Sequence, residues 1–276
     1  MTNGGQNSAD SGESTVNRTH IPFTTDGGVA ERAAIGVVAL ASDETIEHEF
    51  RHLLALPGVA AFHARIANNP QITPKTVREM ESRIAPTTGL IVPGVTLDVV
   101  AYACTSATVV MGEQTVFERI CEARPEAACT TPITAAFAAF EAFGARNIAV
   151  LTPYRDDVNQ RLRSYIGDAG YHVSVLGSFS EDNDHAVARI SPNSVRAAMH
   201  ELGGMDGVDM VFVSCTAVRT AAIVRQVEEE LGKPVTSSNH AMAWHCLRLA
   251  GVEDVQPELG RLFTLPHPQG GIIDAA

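Results

Sequence analysis

The chain has 276 residues, 45% of them hydrophobic and 19% charged, with a formal net charge of −12. That balance belongs to a folded globular protein rather than a disordered one. The excess of acid excludes nucleic acid and an anionic membrane surface as partners, because too few cations are present to displace counterions.

Residues 1 to about 30 are rich in Gly, Ser, Thr, Asn and Asp and lack an apolar signal-peptide core, so they are expected to form a mobile tail. Ala34 to Leu40 then reads as a strand buried on both faces, as parallel strands are. Thr45 to Leu54 follows as a helix with Ile46, Phe50, Leu53 and Leu54 on one side. Gly58 to Phe62 reads as a strand, Thr73 to Ile84 as a helix opening at Thr73-Pro74, and Leu97 to Ala103 as a strand running into Cys104. The second half repeats the order. Asn147–Thr152 reads as a strand, Arg155–Ala169 as a helix and His172–Leu176 as a strand. Ser191–Leu202 is then a helix, and Val208–Ser214 a strand that runs into Cys215.

Alternating βα units predict an α/β fold whose parallel sheets carry helices on their faces. Cys104-Thr105 recurs as Cys215-Thr216, 111 residues on, and the strand near Ile35 has its counterpart near Ile148, 113 residues on. The repeat predicts two pseudo-symmetric domains with the active site in the cleft between them. The first takes in residues 31–135 and 237–276, the second 136–236.

In open α/β sheets ligands sit beyond the carboxyl ends of the strands, where helix-start amides favour anions. Thr105 and Ser106 after one strand, and Thr216 and Ala217 after the other, would hold a small carboxylate within reach of both sulfurs. The same position predicts a lowered thiol pKa. Two thiols on opposite faces of one carbon suit racemisation. With an unsaturated substrate, addition of one sulfur, rotation and elimination give cis–trans isomerisation. A binding module of two domains without chemistry is the alternative of another class. Cys121, Cys129 and Cys246 read as structural. Five cysteines with no C-x-x-C pair fit a reducing, cytoplasmic setting.

These residues resemble the aspartate/glutamate racemase superfamily, in the branch that contains maleate isomerase, arylmalonate decarboxylase and the ectoine-utilisation A proteins. The resemblance runs from about residue 33 to 250. It is carried by the two Cys-Thr turns, by Thr152-Pro153-Tyr154 followed by Asn159, and by the segment from Asn183 to Ala188-Arg189-Ile190. It implies catalysis without metal or organic cofactor, with Cys104 as nucleophile and Cys215 as its acid/base partner. Tyr154 and Asn183 are then polar contacts to the substrate. Where the isomerase pattern carries an Asn after the first strand, this chain has Asp43. An ionised Asp accepts but does not donate, which disfavours a dicarboxylate and suits a substrate with a cationic or N–H group. The stretch from Asp43 to Leu54 looks most like the ectoine-utilisation branch. Asp43 is equally readable as a cap of the following helix.

His48-Glu49-Phe50-Arg51-His52 has the H-E-x-x-H form but follows the first strand of an α/β unit. A solvated helix face or a subunit contact is therefore expected rather than a metal site. Glu228-Glu229-Glu230 reads as an exposed helix face. Ala135 to Phe140 would face a partner subunit in a homodimer or higher homo-oligomer, or lie in an internal helix.

Overall fold

The computed structural model describes residues 18–69, 74–181 and 183–268. Most of the expected N-terminal tail, and Thr73 at the expected helix start, lie outside the described residues. The first half runs β1 (Ala33–Leu40), α1 (Ile46–Leu53), β2 (Val59–Ile66), α2 (Pro74–Gly89), β3 (Val99–Ala103), α3 (Thr105–Met111), α4 (Glu113–Ala123), β4 (Ala128–Thr130) and α5 (Pro132–Phe143). The second runs β5 (Asn147–Thr152), α6 (Asp156–Asp168), β6 (His172–Ser178), α7 (Asp184–Val187), α8 (Pro192–Gly203), β7 (Met210–Val213), α9 (Val224–Leu231), β8 (Val235–Ser237) and α10 (Ser238–Leu249). Two short 3-10 turns follow.

Each half builds a four-stranded sheet in the same order, β2-β1-β3-β4 and β6-β5-β7-β8, and every strand pair is parallel. Both sheets are covered on both faces. Ile35, Val37 and Ala39 of β1 join one core with α1 and α10, while Ala34 and Val38 join another with α2 and α4. In β5, Ala149 and Leu151 face one core and Ile148 and Val150 the other. This two-sided burial is why the strands read as unbroken apolar runs instead of alternating ones. Gly36 sits where β1 is most crowded: a Cβ there would lie 2.9 Å from Leu97 Cδ1. At Gly112, φ is +86°, and this single residue ends α3 and opens α4.

Helix α5 is the wall shared by the halves. Ala135, Ala138 and Ala139 pack with α10 and the first sheet, whereas Ile133, Ala136 and Phe140 pack on the second. Its apolar stretch is therefore internal, and the boundary drawn at residues 135/136 falls inside one helix. Thr131 caps it, its hydroxyl accepting from Thr134 N at 3.2 Å with Pro132 in the first turn. Helix α10 follows a strand of the second sheet yet contributes Ala241, Met242, Trp244 and Leu247 to the first core. No helix among the described residues is long and apolar enough to cross a membrane.

Candidate active site

Both sheets have their topological switch point between the strand that opens the half and the third strand in sequence. The turns after β1 and β3 bring Asp43 and Cys104 there, and those after β5 and β7 bring Tyr154 and Cys215. All four line a single cavity, together with Thr105, Ser106, Thr216 and Ala217. Leu40 and Asp184 complete it.

Cys104 directly follows β3 in extended backbone, with φ −148° and ψ 108°. Its sulfur takes a hydrogen bond from the Ala107 N–H and lies 3.8 Å from Ser106 Oγ. The Thr108 hydroxyl donates to the Cys104 carbonyl at 2.7 Å and ties the turn to α3. Cys215 is built differently. Its φ of +123° lies where residues with a Cβ are strained, so the surrounding contacts must hold it. Its sulfur receives hydrogen bonds from the Ala217 N–H and the Tyr154 hydroxyl.

The contacts that hold Cys215 come from outside its own sheet. Its N–H donates to Ser238 Oγ at 3.0 Å, and Ser238 Oγ is 3.1 Å from Thr105 Oγ1. One buried hydroxyl on α10 therefore joins the two Cys-Thr turns. Asn239 Nδ2 donates to the Thr216 carbonyl at 2.8 Å and to Glu49 Oε2 at 2.8 Å. Glu49 Oε1 accepts from the N–H groups of Thr220 and Ala221. From the residue just before α1, the Thr45 hydroxyl donates to the Ala217 carbonyl at 2.9 Å.

Tyr154 is aimed by the residues that mark its motif. The Thr152 hydroxyl donates to Asn159 Oδ1 at 2.6 Å and accepts from Tyr154 N, while Asn159 Nδ2 donates to the Tyr154 carbonyl at 2.9 Å. Burial beside the two thiols raises the tyrosine pKa well above its ordinary value, so the hydroxyl keeps its proton.

The lowered thiol pKa expected from the helix starts is not what the site produces. Burial outweighs the amide hydrogen bonds, and the charges of Asp43 and Asp184 add to it, so Cys104 is pushed up to about 11 and Cys215 to about 12. With a pKa of about 11, only about one thiol in ten thousand is ionised at pH 7. Iodoacetamide is therefore expected to label the exposed Cys121 first. Labelling of Cys104 and Cys215 should rise about tenfold per pH unit from 7 to 10, since the thiolate is the reacting form. A plateau below pH 9 in peptide mass spectrometry would show that the cavity does not raise these thiols.

Two further expectations are revised, at Asn183 and Glu228, while Asp43 and the H-E-x-x-H segment fall where one of the readings put them. Asn183 is exposed, and its Oδ1 caps α7 by accepting from Ala186 N at 3.0 Å; its neighbour Asp184 lines the cavity instead. Asp43 caps α1 through Oδ1, which accepts from Thr45 N at 2.7 Å and Ile46 N at 2.8 Å, and it also lines the cavity. In the H-E-x-x-H segment His48 and His52 are exposed while Glu49 is buried. No cluster that could hold a metal occurs among the described residues. Glu228 is likewise buried, accepting from Val235 N at 3.0 Å and Arg261 N at 2.8 Å, unlike its two exposed neighbours. Ser238, Asn239 and Asp184 carried no motif that would single them out.

Two pseudo-symmetric α/β halves, each delivering one cysteine to a shared cavity, define a two-thiol fold. Comparison with known proteins shows the family to which the chain belongs. Residues 57–263 match the family model described as arylmalonate decarboxylase, and the chain belongs to this family. It is 33% identical to the arylmalonate decarboxylase of Bordetella bronchiseptica over 49% of this chain and 57% of that enzyme. It is 26% identical to the maleate isomerase of Pseudomonas putida over 83% of this chain and 96% of that one. The maleate cis-trans isomerase of Nocardia farcinica, solved bound to TRIS, has the same fold, with a TM-score of 0.76 at 24% identity over 84% of this chain and 98% of that chain. A cysteine-to-serine mutant of that isomerase has been solved with a covalently bound succinylcysteine intermediate.

Proposed function

We propose that this chain is a cofactor-independent isomerase of a small carboxylate, with Cys104 and Cys215 as its two working groups. The observation that carries this is the convergence of two thiols, from equivalent turns of two pseudo-symmetric halves, on one cavity. The substrate carboxylate is held by the hydroxyls and amides of the two Cys-Thr turns and by the Tyr154 hydroxyl. In racemisation one sulfur, as thiolate, takes the proton from the carbon beside the carboxylate. The other, as thiol, delivers a proton to the opposite face.

The names of the relatives favour cis–trans isomerisation as the second reading. There one sulfur adds to an alkene carbon while the partner thiol protonates the next carbon. Rotation about the new single bond and reversal of both steps then release the isomer. A reducing, cytoplasmic setting suits either route, because both sulfurs are needed as thiols.

Ectoine and hydroxyectoine, carboxylates on an amidinium-like ring, are the first substrates to assay, alongside maleate and substituted malonates. Turnover in deuterium oxide decides between the routes. Racemisation places deuterium on the carbon beside the carboxylate, cis–trans isomerisation converts the alkene, and a decarboxylase releases carbon dioxide. Saturable binding with none of these would leave a binding module and remove the isomerase reading.

A further inference from the structure

We propose that Asp43 and Asp184, one from each half, form a cation-binding subsite in the two-thiol cavity, so that the substrate is a small zwitterion and not a dicarboxylate. The inference rests on the reading of this cavity as the active site and adds the chemical class of its ligand. Asp43 is only 3% exposed, and while Oδ1 caps α1, Oδ2 is buried with no hydrogen-bond partner among the described residues. A buried carboxylate oxygen without a donor is costly, and Asp43 lines the cavity, from which a ligand can bring one. Asp184 is held in place from the opposite half. The Ser42 hydroxyl donates to its Oδ2, and Asn68 Nδ2 donates to Ser42 Oγ at 2.9 Å.

No Arg, Lys or His lines this cavity among the described residues. Arg65 pairs with Glu47 and donates to the Asp43 carbonyl, and Arg189 pairs with Glu44, which also contacts the His185 ring. The cavity therefore has an acceptor side at the two aspartates and a donor side at the Cys-Thr turns. A carboxylate on the donor side and a protonated amine or amidinium on the acceptor side satisfy both. A second carboxylate would face two like charges. Burial is the main reason both thiols stay protonated; the two aspartates add to it, and a bound cation offsets their part. A zwitterion thus favours the thiolate that acts on it.

The test needs no identified substrate. Cysteines are alkylated in parallel with 2-bromoethylammonium, a cation, and iodoacetate, an anion, and rates are read from peptide masses. The exposed Cys121 in the same sample is the reference. The cation-to-anion rate ratio at Cys104 and Cys215 is expected to exceed that at Cys121 by about tenfold or more. Asp43→Asn and Asp184→Asn should each lower it, and the double variant should bring it near the Cys121 value. Asn keeps one oxygen for the α1 cap, so the turn survives. Removing the charges also lowers the thiol pKa values, but that accelerates both reagents alike and leaves the ratio as the measure of charge selection. A ratio at or below that of Cys121, or one unchanged in the double variant, overturns the subsite. Charge selection without any turnover would remove the isomerase reading and keep the subsite; turnover with anion preference would do the reverse.

Discussion

Cys104→Ala and Cys215→Ala are each expected to lower turnover by about a thousandfold or more, within the range that positioned acid and base groups contribute. Losing one sulfur from the cavity wall removes little packing, so the melting temperature should move by only a few degrees. The two losses differ in a way that activity alone does not show. On the proposed mechanism each variant keeps one sulfur on one face of the substrate carbon. In racemisation, it should exchange deuterium into no more than one enantiomer, and the two variants should choose opposite ones. Retention of more than a tenth of the activity in either variant would end the two-thiol mechanism. Exchange into both enantiomers by a single variant would end the two-face geometry.

The placement of both cysteines on one cavity was legible because its parts are written twice. Strand, Cys and Thr recur at nearly the same offset, and buried parallel strands have the same apolar signature in both halves. The motif Thr152-Pro153-Tyr154 with Asn159 is readable for a similar reason. Its members bond one another over seven residues of sequence, so the physical cause lies within the motif. The groups that brace Cys215 lie outside any motif. Ser238 and Asn239 follow it by more than twenty residues and sit at the start of a helix whose apolar face serves the other sheet. Nothing local marks a serine that accepts from one turn and contacts another.

Two expectations failed for different physical reasons. Asn183 and Asp184 are adjacent, and which of them enters the cavity depends on where α7 begins. Asn183 becomes its cap, because its carbonyl oxygen reaches the Ala186 N–H, and the first helical residue is then turned toward the cleft. The thiol pKa values failed as expectations because helix-start amides were weighed without burial and without the two aspartates, which only the assembled cavity brings near the sulfurs. In the first case the missing information was a local cap, in the second a contact between segments far apart in the chain.

Glu49→Ala is expected to have the largest effect on stability of any single change near the site. The side chain is buried on α1, and burial raises its pKa although backbone and side-chain donors oppose that shift. Its two oxygens accept from Thr220 N, Ala221 N and Asn239 Nδ2. Alanine would strand all three donors in a site that water does not replace, at a cost of about 3–5 kcal/mol. For a chain of this size that corresponds to a fall of roughly 10 °C in melting temperature. Glu49→Gln keeps one acceptor oxygen for the two backbone N–H groups but turns an amide toward the Asn239 amide, so it should recover only part of the stability. The consequence for catalysis follows from where those donors lie. Thr220 and Ala221 end the segment that begins at Cys215, and Asn239 holds the Thr216 carbonyl. With the far end of that segment released, the strained backbone at Cys215 is free to relax and carry its sulfur away from the substrate. The expected signature in Glu49→Gln is a kcat reduced about tenfold or more with little change in KM, because the turn after β3 and Tyr154 still bind the carboxylate. A variant that melts within 2 °C of the natural chain and keeps its kcat would show that the Cys215 turn holds its shape without α1.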